Sequence, residues 1–222
     1  MEIRNSQGLT EEEFLELYDS SKYRKPSVTV DNIVFCLGNK REKTDEKDVI
    51  YLNHDVEVLI IKRGNHPDMG RWAFPGGFIE MDENLETSAL RELKEETGLE
   101  GIEIEQLQAF GDVGRDKRDR IVTVAFLSII KQKKTAEAGD DAQDAKWFSL
   151  KCKKEAVEEE SYILDMILEN EKIEINTKVK VIKKKGQFME NKTYEIMDKS
   201  QMASDHSKIL AVAVERLKSL GL

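Results

Sequence analysis

Glu92, Glu95 and Glu96 fall within about one turn of any helix formed by the stretch "RELKEETGL". Like charges three and four residues apart weaken a helix by roughly 0.2–0.5 kcal/mol per pair. At about 100° per residue, Glu95, Glu92 and Glu96 sit at roughly −60°, 0° and +40° around the helix axis, while Leu90 and Leu93 turn to the far side. Three carboxylates sharing one arc suit a hard divalent cation, and Mg²⁺ keeps its own waters while bridging to substrate phosphates. Bound metal would turn the repulsion into attraction. A solvated acidic helix face is the plainer meaning of such a Glu-rich stretch taken alone.

The residues just upstream favour the metal. Pro75-Gly76-Gly77 combines a fixed φ with two residues that permit a turn and close backbone approach. Arg91, one position before Glu92, can hold carboxylates in place through bidentate hydrogen bonds.

These groups need a scaffold, and the pattern predicts one. A helix is expected from about Leu85 to Thr97, with Gly98 in the left-handed conformation behind it and Leu99 folding back. Before it, "LTEEEFLELYDS" predicts a short helix in which Thr10 and Glu13 have capping-box spacing. Strands are expected at Ser27–Leu37, Val56–Arg63 and Trp72–Phe74, and after the helix at Ile102–Gly111, Ile121–Ile130 and Asp144–Leu150. From Lys151 the composition shifts to Lys, Glu and Asn. Here Lys153–Asn170 reads as a helix with Val157, Ile163, Leu164 and Ile167 inward. Lys172–Met197 reads as a hairpin turning near Gly186, and Ser204–Leu220 as a final amphipathic helix capped by Ser204 or Asp205. Trp72 and Trp147 are expected in the core.

Composition narrows the function classes. The 222 residues carry 35 basic and 44 acidic side chains, a formal charge of −9, with 39% hydrophobic residues. That balance argues against an electrostatically driven nucleic-acid binder. Cys36 and Cys152 match no metal spacing or disulfide framework, which points to a reducing compartment. With no leader-like or membrane-length apolar run, a soluble cytoplasmic protein is expected.

Gly77, Glu83 and then Arg91-Glu92-Leu93-Lys94-Glu95-Glu96-Thr97-Gly98-Leu99 resemble the signature of the Nudix hydrolases without a departure. The resemblance implies an α/β fold, an α/β/α sandwich with a mixed central sheet. It covers Ser27–Leu150 well and Ser204–Leu220 loosely, giving a core over 27–150 and a C-terminal helix over 204–222 packing back on it. Composition and pattern add an N-terminal helical extension over 1–26 and an inserted helix plus β-hairpin over 151–203, for which the resemblance offers no counterpart. It implies hydrolysis of a nucleoside diphosphate linked to another moiety. Two or three Mg²⁺ ions, or Mn²⁺, would bind at Glu92, Glu95 and Glu96, with the carbonyl of Gly76 or Gly77 joining them.

"GDVGRDKRDR" resembles the "RDPRG" segment of Nudix enzymes acting on ADP-ribose and of related regulators of NAD metabolism. Arg115, Asp116 and Arg118 match, while Lys117 replaces Pro and Asp119 replaces Gly. Arg115, Arg118, Arg63 and Gly77 are therefore the substrate-binding candidates, although a surface turn with local Asp–Arg pairs is the alternative for the arginine loop. "GDDAQDAKWF" also resembles this subgroup, so Asp141 or Asp144 could complete the metal shell or serve as general base beside Glu92. A polar turn is the alternative. His206 looks like a residue of the subgroup too, but next to a helix cap it is expected to pack or bond locally, and His54 and His66 carry no metal spacing. Related ADP-ribose hydrolases are commonly homodimers, and a homodimer is expected here. The competing class is a ligand-sensing transcriptional regulator, in which Lys178–Gly186, "KVKVIKKKG", would act as a basic wing instead of a solvated hairpin edge.

Overall fold

The computed structural model describes residues 2–41, 51–139, 142–188, 190–198 and 200–222. In chain order they form α1 (Glu11–Leu17), a 3-10 turn (Ser20–Lys22), β1 (Ser27–Lys40), β2 (His54–Arg63), β3 (Trp72–Ala73), β4 (Gly76–Phe78) and α2 (Leu85–Thr97). There follow β5 (Glu105–Phe110), β6 (Ile121–Ile130), β7 (Ala142–Glu158), β8 (Ser161–Asn170), β9 (Ile173–Lys185), β10 (Glu190–Ile196) and α3 (His206–Ser219). No helix among the described residues is long and apolar enough to cross a membrane.

The strands make one mixed sheet in the order β10-β9-β8-β7-β2-β1-β6-β5, with β3 on β2 and β4 on β1. Its one parallel pairing among these neighbours joins β1 to β6, Ser27 opposite Ile121. Side-chain alternation along β1 builds two layers. Val34 and Cys36 join Leu59, Trp147 and Leu93 of α2 on one face, with Val30 and Ala89 beside them. Ile33 and Phe35 join Val58, Ile60, Phe148 and α3 on the other. The expected sandwich, sheet between helices, is therefore present. α3 is apolar nearly all round, and Ile209 through Val214 and Leu217 are all buried, as suits a helix enclosed by core.

The expected helix over Lys153–Asn170 is absent, and this corrects the reading of 151–203 as a helix plus hairpin. β7 runs on to Glu158, a turn follows, and β8 returns antiparallel with Lys154 opposite Leu164. β8 then pairs with β9 and β9 with β10, so the block is a meander continuing the core sheet. Tyr162, Leu164, Met166 and Leu168 point inward with period two, while Val157 is exposed. The run "YILDMIL" is apolar at spacings that satisfy either period, and a short apolar run cannot be assigned by periodicity alone. Pairing on both edges, supplied by β7 and β9, decides for strand. The extension shares α3's cluster, and buried Glu215 of α3 accepts from Tyr51 on one side of it and from Tyr162 and Lys192 of the extension.

The other expected elements are found. α1 has the Thr10–Glu13 capping box, with Thr10 N–H donating to Glu13 Oε2 at 2.8 Å and Glu13 N–H to Thr10 Oγ1 at 3.2 Å. β9 and β10 form the expected antiparallel pair. Asp205 caps α3 by position, but its side chain makes no cap hydrogen bond.

One packed unit has a measurable consequence. Leu164→Ala, in the middle of β8, is expected to cost about 2–5 kcal/mol within a single unfolding transition followed by circular dichroism. A separate early transition would show that residues 161–196 unfold on their own.

Candidate functional site

α2 presents its glutamates through simple geometry. Ala89 and Leu93 are fully buried against the sheet, and Leu90, expected with Leu93 on the far side, is 38% exposed. Glu96, three residues after Leu93, stands at the edge of the buried stripe and keeps only 8% exposure. Gly98, at φ 70°, ends the helix with its N–H bonded to the Lys94 carbonyl.

The Pro75-Gly76-Gly77 turn comes down against this helix. Asn32 of β1 ties both together: its N–H donates to the Pro75 carbonyl at 2.8 Å, and its Nδ2 donates to the Ala89 carbonyl at 2.9 Å. Gly76 N–H then donates to Glu96 Oε2 at 2.8 Å. A side chain on Gly76 would run into the Val30 carbonyl, and one on Gly77 would lie 2.5–2.6 Å from the Glu92 carboxylate. Gly76 needs glycine because fixed backbone lies against it, whereas at Gly77 the crowding atoms belong to the movable end of the Glu92 side chain.

Arg91 holds the cluster as its position suggests. Nη1 donates to Glu92 Oε1 at 2.7 Å and Glu95 Oε2 at 2.9 Å, Nε to Glu83 Oε2 at 3.1 Å, and Nη2 to the Phe78 carbonyl at 3.1 Å. Ser88 and Arg91 together hold the Glu83 carboxyl below its ordinary range. Glu96 moves the other way. Burial pushes it up to about 8, with the charges of Glu92 and Asp31 adding to the rise and the Gly76 N–H and Arg63 opposing it. The cleft lining as a whole is acidic, with seven Asp and Glu side chains against four Arg.

This donor set fits a divalent cation in kind, since every candidate ligand is a hard oxygen. Among the described residues no three His, Cys, Asp or Glu side chains stand ready as a ligand cluster. Glu92 and Glu95 are engaged by Arg91, and Glu96 by Gly76 N–H.

The glutamates open onto a cleft of about 430 Å³. Glu92, Glu95, Glu96, Arg91, Gly77, Arg63, Arg115 and Arg118 all line it, so most of the expected site residues converge. Their tasks differ. Arg118 is bound bidentately by Asp116 and lies over the Phe78 ring, 5.1 Å from its centroid; at 42% exposed, its side chain marks the mouth. Arg115 is only 6% exposed, and its Nε and Nη2 meet the two Asp205 oxygens at 2.9 and 2.7 Å. Its guanidinium is spent on joining the loop to α3. Arg63 donates to the Pro67 carbonyl at 2.9 Å. Asp144 is not among the lining residues: it lies on β7 opposite Lys62, and its carboxylate pairs with Lys146. Asp141 lies outside the described residues.

Asp31 and His206 are among the lining residues that the sequence does not assign to the site. The His206 backbone N–H bonds locally to the Ala203 carbonyl, but its imidazole reaches further: Nδ1 accepts the N–H of Phe74, 132 residues away. The available signal for Asp31 was Asp31-Asn32 standing as a polar pair inside the β-branched run "SVTVDNIVF".

Comparison with known proteins decides the family. Residues 44–164, more than half of the chain, match the NUDIX domain. The chain belongs to the Nudix family. It is 32% identical to the ADPR responsive transcriptional repressor NtrR of Acinetobacter baylyi over 64% of this chain, an alignment spanning about half (52%) of the repressor. It is 37% identical to the ADP-ribose pyrophosphatase of Methanocaldococcus jannaschii over 60% of this chain and 69% of that enzyme. Among solved structures, a MutT/nudix family protein from Enterococcus faecalis matches 95% of this chain and 70% of its own, with 32% identity and a TM-score of 0.66. The NUDIX domain of Shewanella oneidensis NrtR, solved with ADP ribose, matches 63% of this chain and 82% of its own, with 33% identity and a TM-score of 0.52. The 95% coverage reaches into the β8–β10 extension of this Nudix chain, for which the sequence resemblance suggested no counterpart.

Two measurements test this geometry. Gly76→Ala is expected to destabilise the protein by about 1–3 kcal/mol through overpacking. Gly77→Ala should melt near wild type yet bind Mn²⁺ more weakly by calorimetry, because only the end of the Glu92 side chain must move. Glu96 supplies the second. A carboxyl that titrates near 8 when folded and near 4.5 when unfolded binds more protons in the native state between those values, so stability falls as pH rises through that window. In EDTA, Glu96→Gln should therefore melt above wild type at pH 8–9, with the gap closing toward pH 4.5.

Proposed function

We propose that this chain hydrolyses the diphosphate bond of a nucleoside diphosphate linked to a second moiety, with ADP-ribose giving AMP and ribose 5-phosphate. The observation that carries this reading is the gathering of Glu92, Glu95, Glu96 and Asp31 at one cleft, whose lining holds seven Asp and Glu side chains against four Arg. Such a surplus of negative charge is relieved by divalent cations. The similarity to an ADP-ribose pyrophosphatase and to a domain solved with ADP ribose supports the choice of substrate.

A divalent ion, Mg²⁺ or Mn²⁺, held by Glu92, Glu95, Glu96 and the Gly77 carbonyl would neutralise the diphosphate and acidify a bound water. Arg91 keeps Glu92 and Glu95 side by side and limits their freedom. Glu92, bordering the cleft, takes the proton of the attacking water as general base. Arg118 and Arg63 offer positive charge to the diphosphate from the mouth. A homodimer is part of the same proposal.

The second reading, an ADP-ribose-sensing regulator, is favoured by the similarity to the NtrR repressor. Weighing toward the enzyme, the signature carboxylates are all present, and the basic stretch proposed as a wing is β9 of the common sheet.

Glu96→Gln is expected to lower kcat on ADP-ribose by roughly 10²–10⁴-fold while the protein remains folded; turnover near wild type would overturn the reading. A gel shift on genomic fragments, run beside the assay, separates enzyme from regulator.

A further inference from the structure

At the cleft wall, Asp31 of β1 and His206 at the start of α3 face each other. Both side chains are 9% exposed, and both line the cleft. Each is held from behind. Phe74 N–H donates to His206 Nδ1 at 3.0 Å, and the imidazole stacks on the Phe74 ring with centroids 5.5 Å apart. Thr123 Oγ1 donates to Asp31 Oδ2 at 2.6 Å.

These bonds define what remains. With the Nδ1 lone pair used, the proton of the neutral ring sits on Nε2, which is a donor. With Oδ2 engaged, Oδ1 is the Asp31 acceptor that faces it. The two atoms are 3.8 Å apart, beyond direct hydrogen-bonding distance. A fixed donor and a fixed acceptor thus border one gap at the cleft.

Few chemical groups satisfy both. A cation placed between them meets the Nε2 proton, and an anionic phosphate oxygen meets the Asp31 charge that already raises Glu96. A carbonyl leaves Asp31 without a donor. A hydroxyl donates to one and accepts from the other.

We propose that Asp31 and His206 form a hydroxyl-reading pair: a sugar hydroxyl of the bound nucleotide donates to Asp31 Oδ1 and accepts from His206 Nε2–H. This rests on the nucleotide reading above and deepens it, assigning substrate selection to residues outside the α2 signature. An oxygen about 2.8 Å from each atom completes the arrangement. A site built around a hydroxyl discriminates strongly against analogues lacking it, because its buried polar groups are then left unpaired. The pair sets specificity and takes no part in bond cleavage.

The hydroxyl can belong to the distal sugar or to the nucleoside, and three ligands tell them apart: ADP-ribose, ADP without the distal sugar, and 2′,3′-dideoxy-ADP without the nucleoside hydroxyls. Affinities are measured by calorimetry with Ca²⁺ for wild type, Asp31→Asn and His206→Asn. Asp31→Asn keeps an acceptor for Thr123 and replaces the inward acceptor by a donor, so it tests the pair even where His206→Asn fails to fold. Wild type is expected to prefer ADP-ribose over ADP, or ADP over its dideoxy form, by about tenfold or more, and the variants should reduce that same ratio to within about twofold. The ratio that collapses identifies the sugar. Ratios near one in wild type, or unchanged in Asp31→Asn while all affinities hold or fall together, overturn the proposal. A wild-type protein that binds none of the three overturns the nucleotide reading itself.

Discussion

The site depends on forcing carboxylates together where they repel. Glu92, Glu95 and Glu96 share one turn of α2, and the fold aggravates their repulsion by burying Glu96 under a glycine turn and setting Asp31 nearby. The structure tolerates this through Arg91, whose guanidinium reaches Glu83, Glu92 and Glu95 at once, and through the Gly76 N–H on Glu96. Bidentate geometry and permanent charge make arginine suited to that position. What is left over is negative potential directed into a cleft, and a divalent cation with its diphosphate is the chemical complement of such potential.

Around this centre, three segments distant in sequence are tied into one rim. Arg115 of the β5–β6 loop is bound by Asp205, and its carbonyl accepts from Ser204 Oγ. Asp68 of the β2–β3 loop takes the Ser204 N–H and the Lys117 ammonium. The Asp205 carboxylate, which would otherwise cap α3, is diverted to the arginine. Helix capping contributes about 1 kcal/mol, so a buried, doubly bonded ion pair is a reasonable exchange for it. The rim is thereby anchored to the most deeply buried helix in the molecule.

That anchoring gives the β8–β10 extension a part in the site. The extension covers α3 through Leu164, Met166, Val179 and Val181 and grips Glu215 at the other end of the helix. The position of α3 in turn decides where Asp205 and His206 stand. The signature carboxylates lie on α2 and His206 on α3, with the sheet and the glycine turn between them.

Sequence alone determined what depends on near neighbours. The α2 boundaries, the left-handed Gly98, the capping box of α1, the span of β6 and the gathering of the glutamates all follow from spacing and local backbone preference. The tertiary structure decided what depends on partners far along the chain. Residues 153–170 became strands because β7 and β9 offered backbone pairing to a run whose periodicity was ambiguous. Arg115 turned to Asp205, 90 residues away, and the pairing of β7 with β2 set Asp144 opposite Lys62, outside the cleft lining. Asp31 and His206 met across the chain because β1 and α3 pack around Phe74. Local pattern encodes which face of an element is apolar, but the partner of a buried charge or an edge strand is chosen by packing, since only the folded chain brings that partner within reach.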